Sequence, residues 1–394
     1  MKSLKICLLN SSFDCSSATA KIFIDYAVFF AERGHQVTLF FHRRPECSPT
    51  PHPGVRICTF PKRLPVIKKG PPEFNPIEIA IRMCDVIKNR YDVIHVLPGH
   101  RPSHFLPAIL SRKLYGTLLV DEWWEWFGVE GISADKKGLG SFIAKYEQLT
   151  ELKLKKYYDV ILPISKCLAD RLPAEVQKKC IVLHGGMDDQ KLVAYDLSFA
   201  RASVNLDAQA FCVGMSNICR LDHPDNIPLF RAFSEFAKQH DHIKLIVSGE
   251  RTYIDSDVRS VVGEENLVNI GWQPFEKYNL YLSACNLFAL PFPDTKRNRG
   301  RWPNKLGDYV WLKRPVITNP TGELKEIVLQ GNLGYCTENS EKQYLRTLEQ
   351  AYADWKQDKL PLIDPSSSGL MTVTQRKEKI LKIYEQGLAE IRGH

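Results

Sequence analysis

The chain has 394 residues, 44% of them hydrophobic and 25% charged; this excludes a disordered chain and is long for one core, so two domains are expected. The net charge is +8, but no basic stripe with interleaved aromatics is present, which argues against nucleic-acid binding. No apolar run reaches the ~20 residues of a membrane helix, and eleven cysteines, odd in number and without a C-x-x-C pair, indicate neither a zinc site nor a disulfide framework and fit a reducing cytoplasm.

In chain order, LKICLLN (4–10) reads as a strand and not as a signal peptide, because polar SSFDCSSAT follows at once. AKIFIDYAVFFAERG is a helix ended by Gly34, and HQVTLFF is a second strand. This β-α-β opening implies a parallel sheet. The first loop, with Ser16, Ser17 and Ala18, lies where a strand C-terminus meets a helix; it is either a ligand loop or an ordinary helix cap. VRICTF is a strand, and the basic, Pro-rich stretch KRLPVIKKGPPEFNP is a mobile lip, a membrane contact or a solvated loop. PIEIAIRMCDVIKNR is a helix and YDVIHVLPG a strand, with His95 in the core and His100 and His104 in the loop that follows. GTLLVDEWWEWFG ends a strand in Asp121 and Glu122, beside Trp123, Trp124 and Trp126, which either stack on a sugar or lipid or pack the interior. SFIAKYEQLTELKLKKYYD is a long helix, VILPIS a strand, and IVLHGGMDD closes the first half. Residues 1–190 carry 27 Lys and Arg against 20 Asp and Glu. That excess suits an anionic membrane surface or a phosphate-bearing acceptor, and is also common in soluble domains.

A weakly patterned linker precedes FCVGMSN, which opens a second sheet. NIPLFRAFSEFAKQ is a helix. IKLIVSGE is a strand ending in Gly249-Glu250, and NLVNIGWQP is a strand ending in Gly271-Trp272; both read as ordinary α/β turns. Residues 288–326 then run strand, basic loop, short helix, strand, Gly loop, helix. Ligands in open α/β sheets sit where strand C-termini meet helix N-termini, and cations there favour phosphate. Lys296, Arg297, Arg299, Arg301 and Lys305 surround such a point. Lys305 and Asp308, at i, i+3, share a helix face, a pairing that suits a nucleotide diphosphate: cation for phosphate, carboxylate for ribose. The alternative is a solvated basic loop with a helical ion pair. Glu323 and Glu326 stand near a helix N-terminus, where acids are favourable in any helix. The last 21 residues form a periodic helix.

The segment PNKLGDYVWLKRPVITNPTGE resembles the donor-binding segment of GT-B glycosyltransferases, retaining family 4 in particular, through Lys305, Asp308, Pro315-Val316 and Gly322-Glu323. Many members carry two glutamates separated by seven residues. The second falls on Asp308; the first falls on Gly300 and is missing, with Asp294 upstream as a substitute. Gly185, Gly186 and Asp188 resemble the family's Asn-Gly-aliphatic-Asp pattern at the end of the first domain.

The resemblance implies an α/β GT-B fold, two Rossmann-like domains facing across a cleft. Residues 1–190 would bind the acceptor, 191–375 the nucleotide sugar, and 376–394 would cross back as a helix. It implies a donor site of Arg220, Gly249, Glu250, Gly271, Trp272, Arg299, Arg301, Lys305, Asp308, Gly322, Glu323 and Glu326. Asp225 falls where the family's second diphosphate cation is a lysine. Asp121 or Glu122 would face the reacting sugar as catalytic groups, with Ser16, Ser17, His100 and Trp123 on the acceptor side. The implied reaction moves a sugar from a nucleotide-diphosphate donor to a saccharide, lipid-linked or small-molecule acceptor, with retention, in polysaccharide or glycoconjugate synthesis. It needs no cofactor and no metal, in the cytoplasm or peripherally at the inner membrane face. A catalytically inactive GT-B partner subunit and an NDP-sugar epimerase are the alternative readings.

Overall fold

The computed structural model describes residues 3–11, 17–41, 52–60, 72–216, 223–249 and 256–393. It divides into two compact units, Met1–Leu183 with Arg376–His394, and His184–Gln375.

The first unit contains β1 (Lys5–Asn10), α1 (Ala18–Glu32), β2 (Gln36–Phe40), β3 (Val55–Cys58), α2 (Pro76–Asn89), β4 (Val93–Leu97), α3 (Pro102–Tyr115), β5 (Leu118–Trp123), α4 (Leu139–Lys155), β6 (Val160–Pro163), and the short helices α5 (Lys166–Ala169) and α6 (Ala174–Gln177). All six strands are parallel, in the order β3-β2-β1-β4-β5-β6. β1, β4 and β5 are buried almost throughout, as a sheet covered on both faces requires.

The helix α3 corrects the reading of residues 100–104 as a loop: His104 lies inside it, buried. Pro107 in its interior obscured the pattern, since proline removes an intrahelical hydrogen bond. The Ser103 carbonyl that Pro107 leaves free accepts instead from the buried Arg82 guanidinium, 3.4 Å away. Pro102 at the first turn and the left-handed Gly116 (φ 68°) at the end mark its limits.

The second unit contains α7 (Leu197–Ser203), β7 (Phe211–Ser216), α8 (Ile227–Gln239), β8 (Ile243–Ser248), α9 (Ser256–Val262), β9 (Leu267–Gly271), α10 (Phe275–Ser283), β10 (Leu287–Leu290), α11 (Lys296–Arg299), α12 (Lys305–Trp311), β11 (Val316–Thr318), α13 (Leu324–Gln330), β12 (Gly334–Cys336) and α14 (Glu341–Lys356). Its strands are again parallel, in the order β12-β11-β10-β7-β8-β9. α7 lies in the stretch read as a weakly patterned linker, and α11 folds part of the basic loop. The core joins β7 and β8 to α8 and α14 through Phe211, Phe236, Tyr344 and Leu348.

The final helix α15 (Val373–Arg392) returns the chain to the first unit. There Tyr384 packs on Phe30 of α1 (5.4 Å between ring centroids), and a Cβ at Gly387 would meet Leu118 at 2.8 Å. Right-handed crossovers run one way from β1 to β2 and the other way from β3 through β6, so α1 and α2–α4 cover opposite faces of the first sheet. α15 shares the face of α1. No helix among the described residues is long and apolar enough to cross a membrane.

Candidate functional site

In the second sheet, β7 and β10 are neighbours from which the strand order runs outward in both directions. Open α/β sheets bind ligands at the carboxyl ends of the strands at such a reversal. Ser216 ends β7 and Ser248 ends β8, and the Ser248 hydroxyl donates to Ser216 Oγ at 2.8 Å. Tyr278 Oη donates to the same Ser216 Oγ at 3.2 Å, and the Ser216 N–H donates to Tyr309 Oη at 3.0 Å. Tyr309 itself is stacked on Phe288 of β10 at 3.8 Å.

Lys305 completes this chain. Its Nζ donates to Tyr278 Oη at 3.2 Å and to Asp308 Oδ2 at 2.8 Å, one turn along α12. Burial opposes its charge, but the Asp308 carboxylate and the neighbouring tyrosines outweigh that and raise its pKa. The ammonium therefore stays protonated through the neutral range. Its side chain is 40% exposed, so an anion can reach it.

Tight backbone approaches hold α12 in place. A Cβ on Gly307 would sit 2.9 Å from the Gly186 carbonyl, and one on Gly185 would sit 2.1 Å from Asn304 Oδ1. The Gly-Gly pair of IVLHGGMDD thus serves close packing. His184, just before it, stacks on Trp302 (4.1 Å, 15° between planes), and its Nε2 lies 3.0 Å from Glu323 Oε1. Glu323 stands at the N-cap position of α13, while Gly322 before it turns with φ 54°. Glu326 is exposed in the first turn of α13.

The basic loop is built differently from a simple ring of cations. Arg299 grips Asp294 with two hydrogen bonds of 2.6 Å. Asn298 donates to the Pro293 carbonyl at 2.9 Å and to Asp225 Oδ2 at 3.3 Å. Asp225 at the expected lysine position is therefore an anchor for the loop. Asn319 fixes the loop's start, accepting from the Phe292 N–H at 2.7 Å. Arg301 is half-buried. Because the Arg299 charge is already met by Asp294, Arg299→Ala is expected to weaken diphosphate binding by no more than about fivefold, the scale of an exposed ion pair; calorimetric titration with a nucleoside diphosphate measures it.

Gly249 and Gly271 stand side by side, the Gly249 N–H donating to the Gly271 carbonyl at 3.3 Å, and Gly271 holds φ 58°. Trp272 is 79% exposed. Arg220, Glu250 and Ser16 lie outside the described residues. Reading the sequence missed Ser216, Ser248, Tyr278, His184 and Trp302. Their one signal was position, at strand ends or flanking the Gly-Gly and Pro-Asn-Lys stretches.

In the first unit most of the expected catalytic and acceptor groups are buried. Asp121 is 0% exposed, paired with Lys155 Nζ at 2.6 Å, and accepts from the Gly99 N–H at 3.0 Å. Glu122 is 0% exposed and pairs with Arg376 of α15. It also accepts from Tyr26 Oη at 3.2 Å and Trp124 Nε1 at 2.9 Å, and lies 3.0 Å from His95 Nε2. Trp123 is buried with its indole N–H on Glu151 Oε1 at 2.9 Å. Both carboxylates and this tryptophan bind the interior of the unit together. Ser17 caps α1, accepting from the Ala20 N–H at 3.1 Å.

His100 is buried beside Glu147, 3.8 Å away, and on the Phe127 ring; burial lowers its pKa. Burial would raise Glu147, but the neighbouring His100, the charge of Arg101 and a hydrogen bond from Ser133 at 2.7 Å bring it from 4.5 down to about 2. A depressed carboxylate stabilises the fold above its unfolded pKa and loses that contribution as pH falls through the folded value. Glu147 is therefore expected to contribute roughly 3 kcal/mol at neutral pH that disappears between pH about 4.5 and 2. Urea midpoints against pH should show this slope in the wild type and its absence in Glu147→Gln.

Residues 215–354, all inside the second unit, match the family model of the glycosyl transferases group 1. Among curated proteins, no sequence matches the chain. Solved structures match over nearly its whole length. Sucrose-phosphate synthase from Thermosynechococcus elongatus is 15% identical with a TM-score of 0.71, over 99% of this chain and 100% of that one. A glycosyltransferase from Rickettsia africae is 12% identical with a TM-score of 0.68, over 98% and 99%. Anabaena HepE in complex with UDP is 15% identical with a TM-score of 0.67, over 97% and 100%. The fold is GT-B. Its two Rossmann-like units are the two six-stranded sheets, and the GT-B second unit carries both the family match and the Lys305–Asp308 pair.

Proposed function

We propose that the chain is a glycosyltransferase that takes a sugar from a nucleotide-diphosphate donor and transfers it with retention, in the manner of GT-B family 4. The observation that carries this reading is the Lys305–Asp308–Tyr278 cluster at the strand-order reversal of the second sheet, inside the segment matched by the glycosyl transferases group 1. Lys305, with Arg220, which follows β7 in the sequence, neutralises the diphosphate as it leaves. Fixed cations of this kind act most strongly where negative charge develops. Asp308 binds the ribose hydroxyls. The paired ends of β8 and β9 at Gly249 and Gly271 hold the base, and Glu323, oriented by His184, holds the donor sugar. The acceptor binds the first unit.

The HepE structures contain UDP or UDP-glucose, which makes uridine donors the first to test. Purified chain should bind UDP more tightly than uridine, and incubation with UDP-sugars and candidate acceptors should yield glycosylated product with the donor's anomeric configuration. With side-chain cations in place of a metal, EDTA is expected to leave the rate unchanged, as followed by UDP release. A chain that binds no nucleotide diphosphate of any base would overturn the reading.

The burial of Asp121 and Glu122 favours a second reading, a GT-B subunit that binds a nucleotide sugar without transferring it. Tight donor binding without hydrolysis or transfer, across the same donors, would select that one.

A further inference from the structure

The first sheet has a cleft at the end where its strands begin. It holds about 290 Å³, and its lining includes Lys5, Gln36, Thr38, Arg56, Asn89 and Tyr91. Lys5 and Gln36 open β1 and β2 and face each other in register, while Asn89 closes α2. Ligands of open α/β sheets sit at the other end, where the strands finish. Along β1 that is roughly 16 Å away, at about 3.3 Å per residue. The cleft is therefore separate from any acceptor site at the strand C-termini.

Its cations are held in place with donors to spare. Arg56 gives Nη2 to Asp85 Oδ1 at 2.8 Å and to Tyr91 Oη at 2.7 Å, and Nε to Thr38 Oγ1 at 3.3 Å. Among the described residues its Nη1 has no partner, and the side chain is 47% exposed. Lys5 Nζ reaches only the Asn89 carbonyl, at 3.4 Å, and no carboxylate among the described residues pairs with it. The neighbouring acids are engaged elsewhere. Asp85 accepts from Arg56 and from the Tyr91 hydroxyl at 2.6 Å; Asp92 accepts from Arg392 at 2.5 Å and from the Lys5 N–H at 2.8 Å. Lys88 and Arg90, both exposed, flank Asn89 in the sequence. The dipole of α2 accounts for these two at its C-terminal end. It does not account for Lys5 and Arg56, which come from strands.

We propose that this cleft binds a phosphorylated monosaccharide. The phosphate lies on Lys5 Nζ and Arg56 Nη1. A guanidinium fixed by three partners is preorganised for an oxyanion. The sugar hydroxyls donate to the Asn89 carbonyl, one of the last of α2 and beyond the reach of any intrahelical N–H, and meet the Gln36 amide. The volume lies at the lower end of small-molecule sites: more than a bare phosphate fills, and less than a nucleotide sugar needs. An ion pair that served only to tie β3 to α2 would need neither a cleft nor Lys5 beside it. The inference rests on the first unit alone and does not depend on the activity proposed for the chain.

The test is calorimetric titration of the full chain with mannose 6-phosphate, inorganic phosphate and mannose, in a phosphate-free buffer of low salt. The wild type is expected to bind the ester about tenfold more tightly than inorganic phosphate, and to give no heat with mannose. Lys5→Glu should weaken the ester by about tenfold to a hundredfold, the scale of one lost charge-assisted hydrogen bond. Gln36→Glu, which adds a negative charge to the same lining, should weaken it too. Both positions are exposed, so the thermal midpoints should agree with the wild type. Lys305→Ala should leave ester binding unchanged, which separates this cleft from the site in the second unit. Absence of ester binding by the wild type would overturn the proposal. So would binding that survives Lys5→Glu and is lost in Lys305→Ala. Inorganic phosphate matching the ester would also overturn it, in favour of a surface that attracts any small anion.

Discussion

Lys305→Ala is expected to weaken binding of a nucleoside diphosphate by about 10²–10³, the loss that follows removal of one buried or preorganised charge partner. Two effects add. The cation that meets the diphosphate is gone, and the Asp308 carboxylate, now unpaired, remains where its Nζ partner stood 2.8 Å away. A like charge then faces the incoming phosphates. Titration with UDP and with uridine separates the parts. Lys305→Ala should cost affinity for UDP and little for uridine. Asp308→Asn should cost affinity for both, since the ribose is common to them. Lys305→Arg should recover part of the loss. The thermal midpoint should hardly move in the alanine variant, because this side chain is partly exposed. Equal loss for UDP and uridine would remove Lys305 from the diphosphate and with it the central claim about this site.

The largest effect on stability is expected at Glu122. Its carboxylate, with Arg376, Tyr26, Trp124 and His95 around it, ties β5 to α1 and α15. Burial lowers the Arg376 pKa to about 9, still high enough to keep the guanidinium charged at neutral pH. Glu122→Ala strands that charge in the interior, at a cost of about 3–5 kcal/mol. Replacing both partners, Glu122→Met with Arg376→Met, should recover most of it, because apolar side chains of similar volume remove the unpaired charge as well as the pair. Urea midpoints of the three chains test this. The same set decides whether Glu122 has a chemical role. If Glu122→Gln left the midpoint unchanged and abolished transfer, the carboxylate would belong to the reaction and its structural assignment would fall.

Much of the architecture is legible in local pattern. The apolar run of β1, the helix ended by Gly34 and the repeated alternation that follows give parallel sheets without further information, because strand and helix periods differ. α3 resists this, since Pro107 breaks the pattern and only Arg82, distant in sequence, satisfies the carbonyl it frees. The Lys305–Asp308 pair is legible for a related reason: a spacing of three on a helix fixes which side chains meet. The partners of Lys305 beyond its own helix are not. Tyr278 and Ser216 come from other elements, and only the strand order brings them to one end of the sheet.

Sequence by itself therefore determined the two parallel sheets, the order of elements around the basic loop and the one-turn pairing of Lys305 with Asp308, because each depends on neighbours within a few residues. Tertiary structure alone decided which charged groups are available. Asp121, Glu122 and Arg299 carry charges that look fit for chemistry, yet Lys155, Arg376 and Asp294 claim them. A charged side chain taken into the interior must be matched by an opposite one, and Lys155 and Arg376 come from 34 and 254 residues away, a separation no local pattern encodes.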